Sequence, residues 1–264
     1  MTTLTNDGVL ALAERLGIQT MPLVLAIAPQ QQTYQEWADA QREVVTELTG
    51  SGLIDGYGEV EPDLAQAMHT LAQPDRELVA RIYREDGVPI RLCLARRADQ
   101  HALAERIGDR IEVGTVWSDE SGSALTTRLL RALGPGEPAD VAAFSAPAAD
   151  LADRLSAART SADFADAVYA LGVAERDATR YGLAFESCRA YAEIVAYAHV
   201  DGVTTRPPCA AVVYETGRGR IVVAPGAAPD LQVWSTVTPG TDHRVAQAIS
   251  GLIEILPGGR WLPQ

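Results

Sequence analysis

Lysine is absent from this sequence: all 22 basic side chains among its 264 residues are arginine. The chain therefore offers no lysine for Schiff-base chemistry or for a phosphate-binding loop. Basic charge is also in the minority, because 35 acidic side chains give a formal net charge of −13. A nucleic-acid partner requires a basic surface that displaces counterions from phosphates. The charge balance argues against such a partner.

Cysteine and histidine are scarce and dispersed. Cys93, Cys188 and Cys209 form no pair at metal-ligand or redox spacing, and each lies in or beside an apolar stretch. This predicts reduced thiols in the core and a cytoplasmic protein. The four histidines show no HExxH pattern, and the chain contains no Gly-x-Ser-x-Gly elbow. We therefore predict no metal, no cofactor and no catalytic residue.

Long apolar runs are missing as well. The apolar segment 21–28 is short, and a polar helix precedes it instead of a basic leader region. We interpret residues 21–27 as a buried, extended segment. No stretch approaches the roughly 18 apolar residues of a membrane span, so none is predicted.

The C-terminal part of the chain has the pattern of an antiparallel meander closed by a helix. Short β-branched and aromatic runs alternate with turn residues, and Asp201-Gly202 is typical of a tight hairpin. The predicted strands are 189–199, 209–214, 220–224 and 232–237, separated by turns that include Pro225-Gly226. Apolar residues at spacings of three and four then predict a helix from about 242 to 256.

The same order of elements occurs earlier in the chain. The earlier copy comprises strands at 76–83, 89–94, 101–106 and 110–117 and a closing helix at 123–133. In each half three further helices are predicted ahead of the strands. The helices ahead of the strands are predicted from a cap at Asn6-Asp7 to Leu16, at 34–48, from Pro62 to Pro74, and at 148–158, 161–171 and 175–187. Trp117 and Trp234 would occupy equivalent, buried places. We interpret the chain as one mixed α+β domain with two quasi-equivalent halves, about 1–136 and 146–264. Chance recurrence of common hairpin parts is the alternative.

Several segments together resemble the EspG family. They are RAYAEIVA at 189–196, Asp201-Gly202, GRIVVAP at 219–225, WSTVTPG at 234–240 and LPGGRWLP at 256–263, with MPLVLAI at 21–27 and QPDR at 73–76. The resemblance spans nearly the whole chain, and its most specific part is the last 75 residues. The family consists of cytosolic chaperones of actinobacterial type VII (ESX) secretion.

The resemblance implies two pseudo-symmetric halves around a central antiparallel sheet flanked by helical bundles, with no enzymatic activity. It also implies a partner: the chaperone binds the helical tip of the PPE subunit of a PE–PPE heterodimer and delivers the pair to its ESX system.

The resemblance further implies that the partner is bound by a loop near the early strands and by a surface of the C-terminal half. Here the loop would be residues 95–100, with Arg96, Arg97, Asp99 and Gln100 forming a charged rim. Val212, Tyr214, His243 and Gln247 would supply an apolar floor and its edge.

Two other functional classes remain open from the residues alone. One is a ligand-binding protein or small-molecule enzyme with a site between the two halves. The other is a dimeric scaffold, because residues 189–264 contain six acids and six arginines and are therefore neutral.

Overall fold

The computed structural model describes residues 1–85, 87–227 and 232–263. The first half contains an edge strand, three helices, a four-stranded meander and a closing helix. Its strands are β1 Thr2–Leu4, β2 Arg76–Arg84, β3 Ile90–Arg97, β4 Gln100–Ile107 and β5 Arg110–Thr115. Its helices are α1 Asn6–Arg15, α2 Tyr34–Gly50, α3 Pro62–Ala72 and α4 Ser123–Leu133.

The second half repeats this order. Its strands are β6 Phe144–Pro147, β7 Cys188–Val200, β8 Val203–Thr205, β9 Ala211–Thr216, β10 Gly219–Ala227 and β11 Val233–Pro239. Its helices are α5 Ala148–Ala157, α6 Ser161–Tyr169, α7 Glu175–Phe185 and α8 Asp242–Ile255. Two described elements lack a counterpart: β8, which forms a hairpin with β7 in the second half, and the 3-10 turn Leu23–Leu25 between α1 and α2 in the first.

All described strands belong to one sheet, in the order β1-β5-β4-β3-β2-β7-β9-β10-β11-β6 with β8 paired to β7. The halves meet where β2 pairs antiparallel with β7, from Arg76↔Ala198 to Arg84↔Ala190. From this central pair the order is β2-β3-β4-β5-β1 in one direction and β7-β9-β10-β11-β6 in the other, so each half ends in a short edge strand. The predicted mixed α+β fold with two pseudo-symmetric halves is therefore confirmed. The boundaries 1–136 and 146–264 stay a prediction.

Alternating side chains give the sheet two different faces. One face, here called the two-helix face, packs its apolar residues against α4 and α8. The other, here called the bundle face, carries α1–α3 over the first half and α5–α7 over the second. Leu78 and Ile194 point to the two-helix face, whereas Val79 and Val195 point to the bundle face. Any surface for a partner must therefore be assigned to one face.

Local chemistry explains most element ends. Thr33 and Glu36 form a reciprocal capping box at the start of α2. Asp201 and Gly202 both adopt left-handed conformations, which is the geometry that a two-residue hairpin requires, and this confirms the predicted turn between β7 and β8. The predicted turn at Asp86-Gly87 involves Asp86, which lies outside the described residues.

Several expectations are corrected. The cap of α1 is Thr5, whose side chain accepts from Gly8 N, and Asn6 is already helical. Residues 21–27 are not extended, because Leu23–Leu25 form a 3-10 turn. Pro225 lies inside β10, where the strand extends past β9 and pairs only with β11, so its missing N–H costs no ladder bond on the β9 side.

The tryptophan prediction is wrong. Trp117 lies beyond the end of β5 and is 75% exposed, whereas Trp234 is a half-buried residue of β11. The buried tryptophan is instead Trp261, which packs in the core of the two-helix face. Cys93 is buried as predicted, but Cys188 is exposed and Cys209 only half-buried, so these two are not core residues.

Candidate functional site

The second half has an apolar groove of about 820 Å³ on the bundle face. It lies between α5 and the ends of α6 and α7 on one side and β9, β10 and β11 on the other. Its lining includes Leu151, Leu155, Phe164, Phe185, Pro208, Val212, Tyr214, Val223 and Val233. Most of its wall is aliphatic or aromatic, with Ser156, Gln232 and Ser235 among the few polar groups.

The groove is open because α5 seals its part of the sheet incompletely. The apolar residues Ala148, Leu151, Ala152 and Leu155 follow the i, i+3, i+4, i+7 pattern of one helix face. Only Leu151 among the residues of α5 is buried. On the quasi-equivalent first half, α1, α2 and α3 pack with the sheet into a continuous cluster of buried side chains. The second half forms a smaller buried cluster between its helices and the sheet, and the groove lies where α5 covers the sheet incompletely.

An aromatic row connects the groove to the centre of the sheet. Tyr214 meets Phe185 edge to face with ring centroids 5.2 Å apart, and it lies 6.3 Å from Tyr191. Tyr191 in turn stacks on Tyr83 of β2 at 4.8 Å. Burial raises the pKa of Tyr214 to about 12, so its hydroxyl stays neutral and the wall carries no charge there.

Two thiols border the groove. Cys188 and Cys209 both contribute to its lining, near the beginning of β7 and just ahead of β9. Burial raises the pKa of each thiol, which disfavours the thiolate. They are apolar wall residues rather than nucleophiles, and their partial exposure makes them accessible to a labelling reagent.

Two of the predicted floor residues meet in this groove. Val212 and Tyr214 are neighbours on the bundle face of β9, both half-buried and both part of the lining. Val213 between them points to the other face and is fully buried. The alternation along one strand thus separates wall residues from core residues.

The other two predicted floor residues lie elsewhere. His243 and Gln247 are exposed on α8, which packs against the two-helix face. Gln247 accepts a hydrogen bond from Arg244 at 3.0 Å. The prediction that these residues share one surface with Val212 and Tyr214 is wrong, because the sheet lies between the two pairs.

The predicted rim loop is also different from expectation. Residues 95–97 belong to β3 and Gln100 begins β4, so only Ala98 and Asp99 form the turn. Arg96 is just 5% exposed, donates to the Ala98 carbonyl at 2.8 Å and lies 3.7 Å from Asp75. Its pKa is lowered, chiefly by burial. Arg96 therefore holds the hairpin together and does not form a rim.

Arg97, Asp99 and Gln100 are exposed. Arg97 and Gln100 border a cleft of about 650 Å³ beside α3, and Gln66 of that helix donates to the Gln100 side chain. These three residues remain candidates for a polar rim.

A Cys–Glu–His cluster lies near the centre of the bundle face, but its geometry does not suit a nucleophile. The thiol of Cys93 donates to Glu77 at 3.4 Å, and His199 Nε2 lies 3.4 Å from the other oxygen of the same carboxylate. The imidazole faces the acid and not the sulfur, so it cannot act as the thiol's base. Burial, followed by the charge of Glu77, raises the pKa of Cys93 well above its usual value.

Residues 1–85, 87–227 and 232–263 contain neither a metal-binding cluster nor a membrane-spanning helix. No group of three or more histidine, cysteine or acidic side chains there is arranged to hold a metal ion. No helix in the same ranges combines the length and apolar character of a membrane span.

Sequence reasoning missed most of the groove, including Leu155, Phe185 and Pro208. The apolar stripe on α5 was a usable signal, because it predicts an apolar helix face regardless of what covers it. The incomplete covering was not readable, since it depends on how α5 and α7 are placed over the sheet. The incorrect prediction that Arg96 forms part of the rim has a similar cause: Arg96 and Arg97 are neighbours in sequence, but their side chains point to opposite faces of β3.

Comparisons with known proteins agree with one another. The model of the EspG family matches residues 5–251. The chain is 33% identical to the ESX-1 secretion-associated protein EspG1 of Mycobacterium tuberculosis (strain ATCC 25618 / H37Rv), covering 98% of this chain and 88% of that protein. It is 31% identical to the ESX-3 secretion-associated protein EspG3 of Mycolicibacterium smegmatis (strain ATCC 700084 / mc(2)155), with coverage of 98% and 88%.

A solved structure shares the fold. It is that of the Mycobacterium tuberculosis type VII secretion system chaperone EspG5 in complex with a PE25-PPE41 dimer. The TM-score is 0.81 at 21% sequence identity, and the match covers 98% of both chains.

Proposed function

The chain belongs to the EspG family, and we propose that it is a chaperone of type VII (ESX) secretion that binds PE–PPE heterodimers. In this proposal it holds the helical tip of the PPE subunit, keeps the pair soluble and delivers it to the secretion machinery. The observation that carries the proposal is the apolar groove of about 820 Å³ in the second half. The solved EspG5 structure, which has the same fold, is itself a complex with a PE25-PPE41 dimer.

The groove suits an apolar helical tip for a physical reason. A chaperone for such a tip must offer apolar contact area while remaining soluble alone, and a recessed wall meets both needs. Val212, Tyr214 and Phe185 provide aromatic and aliphatic contacts at the floor, and α5 forms one side. Rigid aromatic side chains of this kind are frequent anchors in protein interfaces because they lose little conformational entropy.

Polar residues around the interface would set specificity and association rate more than affinity. We keep Arg97, Asp99 and Gln100 as proposed rim residues, because they are exposed at the tip of the β3–β4 hairpin. We leave Arg96 out of the proposed rim because it is buried, and His243 and Gln247 because they lie over the other face.

We further propose that the protein acts by binding, without turnover, in the cytoplasm, where its three unpaired cysteines would stay reduced. A second candidate function is ligand binding in a cleft of about 570 Å³ between the halves, lined by Met21, Val79, Tyr197 and His199. That candidate predicts a small molecule that raises the melting temperature without any PE–PPE pair. Self-association of two chains is the third candidate and predicts a doubled mass in solution.

The decisive experiment is co-expression with a PE–PPE pair from the same gene cluster, followed by size-exclusion chromatography with mass measurement. A 1:1:1 complex is expected. Thiol labelling with a maleimide then reports on the groove: Cys188, and to a smaller extent Cys209, should be protected in the complex. Cys93 is the internal control, because it is buried with or without a partner. Unchanged labelling of Cys188 in a stable complex would exclude the groove as the contact.

A pair of substitutions gives the matched control. Leu155→Asp places a charge on the groove side of α5, whereas Tyr169→Asp does so at a 59% exposed aromatic on α6 outside the lining. Leu155→Asp should weaken capture at least tenfold while Tyr169→Asp does not. Equal effects of the two would count against a specific role for the groove.

A further inference from the structure

A leucine of the first half is displayed to solvent on a turn that the sheet holds in place. Leu23 begins the 3-10 turn Leu23–Leu25 and is 91% exposed, while Val24 and Leu25 are buried beneath it. Ala26 ends the turn in the left-handed conformation, with φ of 50°, which is unfavourable for a residue with a Cβ. The surroundings must therefore hold this conformation.

Two arginines of the bundle face provide that hold. Arg91 of β3 donates to the Val24 carbonyl at 3.0 Å. Arg106 of β4 donates to the carbonyls of Leu25 at 2.7 Å and Ala26 at 2.6 Å. Charged donors to backbone carbonyls are among the stronger hydrogen bonds of proteins. The turn is thus pre-organised, so Leu23 loses little backbone freedom when something binds to it.

Leu23 stands at the edge of the central cleft of about 570 Å³. Met21, Leu71, Val79 and Tyr197 give this cleft an apolar lining beside the turn. A single exposed leucine needs no explanation, but one on a backbone turn that is held in place and borders an apolar cleft has the features of a contact site.

The cleft also contains a cation. Arg81 of β2 is exposed in it and makes no hydrogen bond or ion pair with any residue that the structure describes. Across the sheet its neighbours are Arg91 on β3 and Glu193 on β7. Since Arg91 is engaged with Val24, Arg81 is the cation available to an incoming acidic group or to the carbonyls at a helix end.

The cleft and the groove lie on the same face, and a short segment of chain connects their linings. Thr204 lines the cleft, and Pro208 and Cys209, in the connection that follows β8, line the groove. Tyr197 and Tyr191 of β7 both point to the bundle face, one in the cleft and the other in the aromatic row that reaches the groove. A partner that contacts both places therefore does not have to cross the sheet.

We infer that the Leu23 turn and Arg81 form a second docking site for the PPE helical tip, which receives an apolar side chain flanked by an acidic group or a helix C-terminus. This rests on the proposed function. Leu23 supplies the apolar contact, Arg81 the charge, and Arg91 and Arg106 position the turn. The partner is thereby held from both halves of the chaperone, by the groove on one side and the Leu23 turn on the other.

The test measures the dissociation constant of a PE–PPE pair with Leu23→Ala, using Tyr57→Ala as the control. Tyr57 is likewise an exposed side chain, at 96%, on a tight turn held by Asp55 and Arg15, but it does not border the cleft. We expect Leu23→Ala to weaken binding about tenfold or more and Tyr57→Ala less than about twofold. Arg81→Gln should also weaken binding and flatten its dependence on salt.

A double-mutant cycle tests whether Arg106 acts by positioning the Leu23 turn. Arg106→Gln alone should weaken binding. In the Leu23→Ala background it should cause no further loss of affinity, because Arg106 contributes to binding only by positioning the Leu23 side chain. Additive losses would show a general loss of structure and overturn the positioning role.

The remaining outcomes are distinguishable. Normal binding by Leu23→Ala overturns the second docking site and leaves the proposed function standing. Failure of the unmodified chain to bind any PE–PPE pair overturns both. A change of oligomeric state with unchanged partner affinity assigns Leu23 to a contact between copies of this chain and overturns the inference.

Discussion

The most sensitive single position for stability is expected to be Arg220. This arginine is fully buried on the two-helix face and connects β9 and α8 of the second half to the end of α4 in the first. Its guanidinium pairs with Glu215 of β9 through Nε, with Asp242 of α8 at 2.8 Å, and donates to the Gly134 carbonyl at 2.8 Å. Its backbone N–H donates to the Glu137 carbonyl at 2.7 Å. The residue thus fixes the connection between the halves against β10 and the start of α8.

The magnitude follows from what Arg220→Met would leave behind. Glu215 is 8% exposed and would become a buried carboxylate without its cation, which typically costs about 3–5 kcal/mol. The Asp242 side chain is 72% exposed, so water replaces much of its lost interaction and it contributes little. At roughly 2–4 °C per kcal/mol for a chain of this size, the melting temperature should fall by about 6–20 °C.

Calorimetry or urea unfolding of three variants tests this reasoning. Arg220→Met should show the full loss, and the double variant Arg220→Met, Glu215→Met should recover a large part, because no uncompensated charge remains. Arg42→Met is the surface control: Arg42 and Asp39 are both mainly exposed, so the free energy of unfolding should change by less than about 1 kcal/mol. A single variant within about 2 °C of the unmodified protein, or a double variant as unstable as the single one, would refute the argument.

Two further predictions concern pH and backbone packing. Burial, followed by the charge of Arg96, lowers the pKa of His101 in the folded chain, so unfolding takes up a proton and stability should fall as pH drops below about 6.5. Urea unfolding from pH 7.5 to 5 should show a smaller loss for His101→Phe than for the unmodified protein, with His243→Gln as the exposed control; equal slopes in all three would count against this assignment. Gly240→Ala should destabilise the fold by about 1–3 kcal/mol, since its Cβ would lie 2.3 Å from the Cγ of Arg220 and 2.7 Å from that residue's backbone carbon. Gly50→Ala, which meets nothing within 4 Å, is the matched substitution, and a similar loss at both positions in thermal unfolding would contradict the packing argument.

The sequence predicted the repeated parts of the fold well because local chemistry specifies them. Period-two runs, the left-handed pair Asp201-Gly202 and the capping box at Thr33 act over a few residues, and each element that depends on them forms as expected. The short strands β1, β6 and β8 were missed, because three or four residues carry too little pattern. They become strands only where a long neighbouring strand offers unpaired backbone groups.

The candidate site was predicted in part for the same reason. Val212 and Tyr214 were identifiable as wall residues of a strand, whereas Arg96 was misassigned because a one-residue difference reverses the face to which a strand side chain points. Leu23 could not be recognised: its exposure depends on Arg91 and Arg106, which lie far away in sequence and meet the turn only after the sheet forms.

The difference between the two halves gives the strongest argument for a binding role. Both halves place three helices over an equivalent sheet face, and α1–α3 cover their part of it with a larger cluster of buried side chains than α5–α7 do. In the second half α5 buries only Leu151 and leaves Leu155 half-exposed over an apolar floor. Such a surface contributes less to folding than a sealed one, and its apolar contacts remain available to another molecule. The more extensive core of the first half therefore supplies stability that lets the groove of the second half remain unfilled until a partner binds.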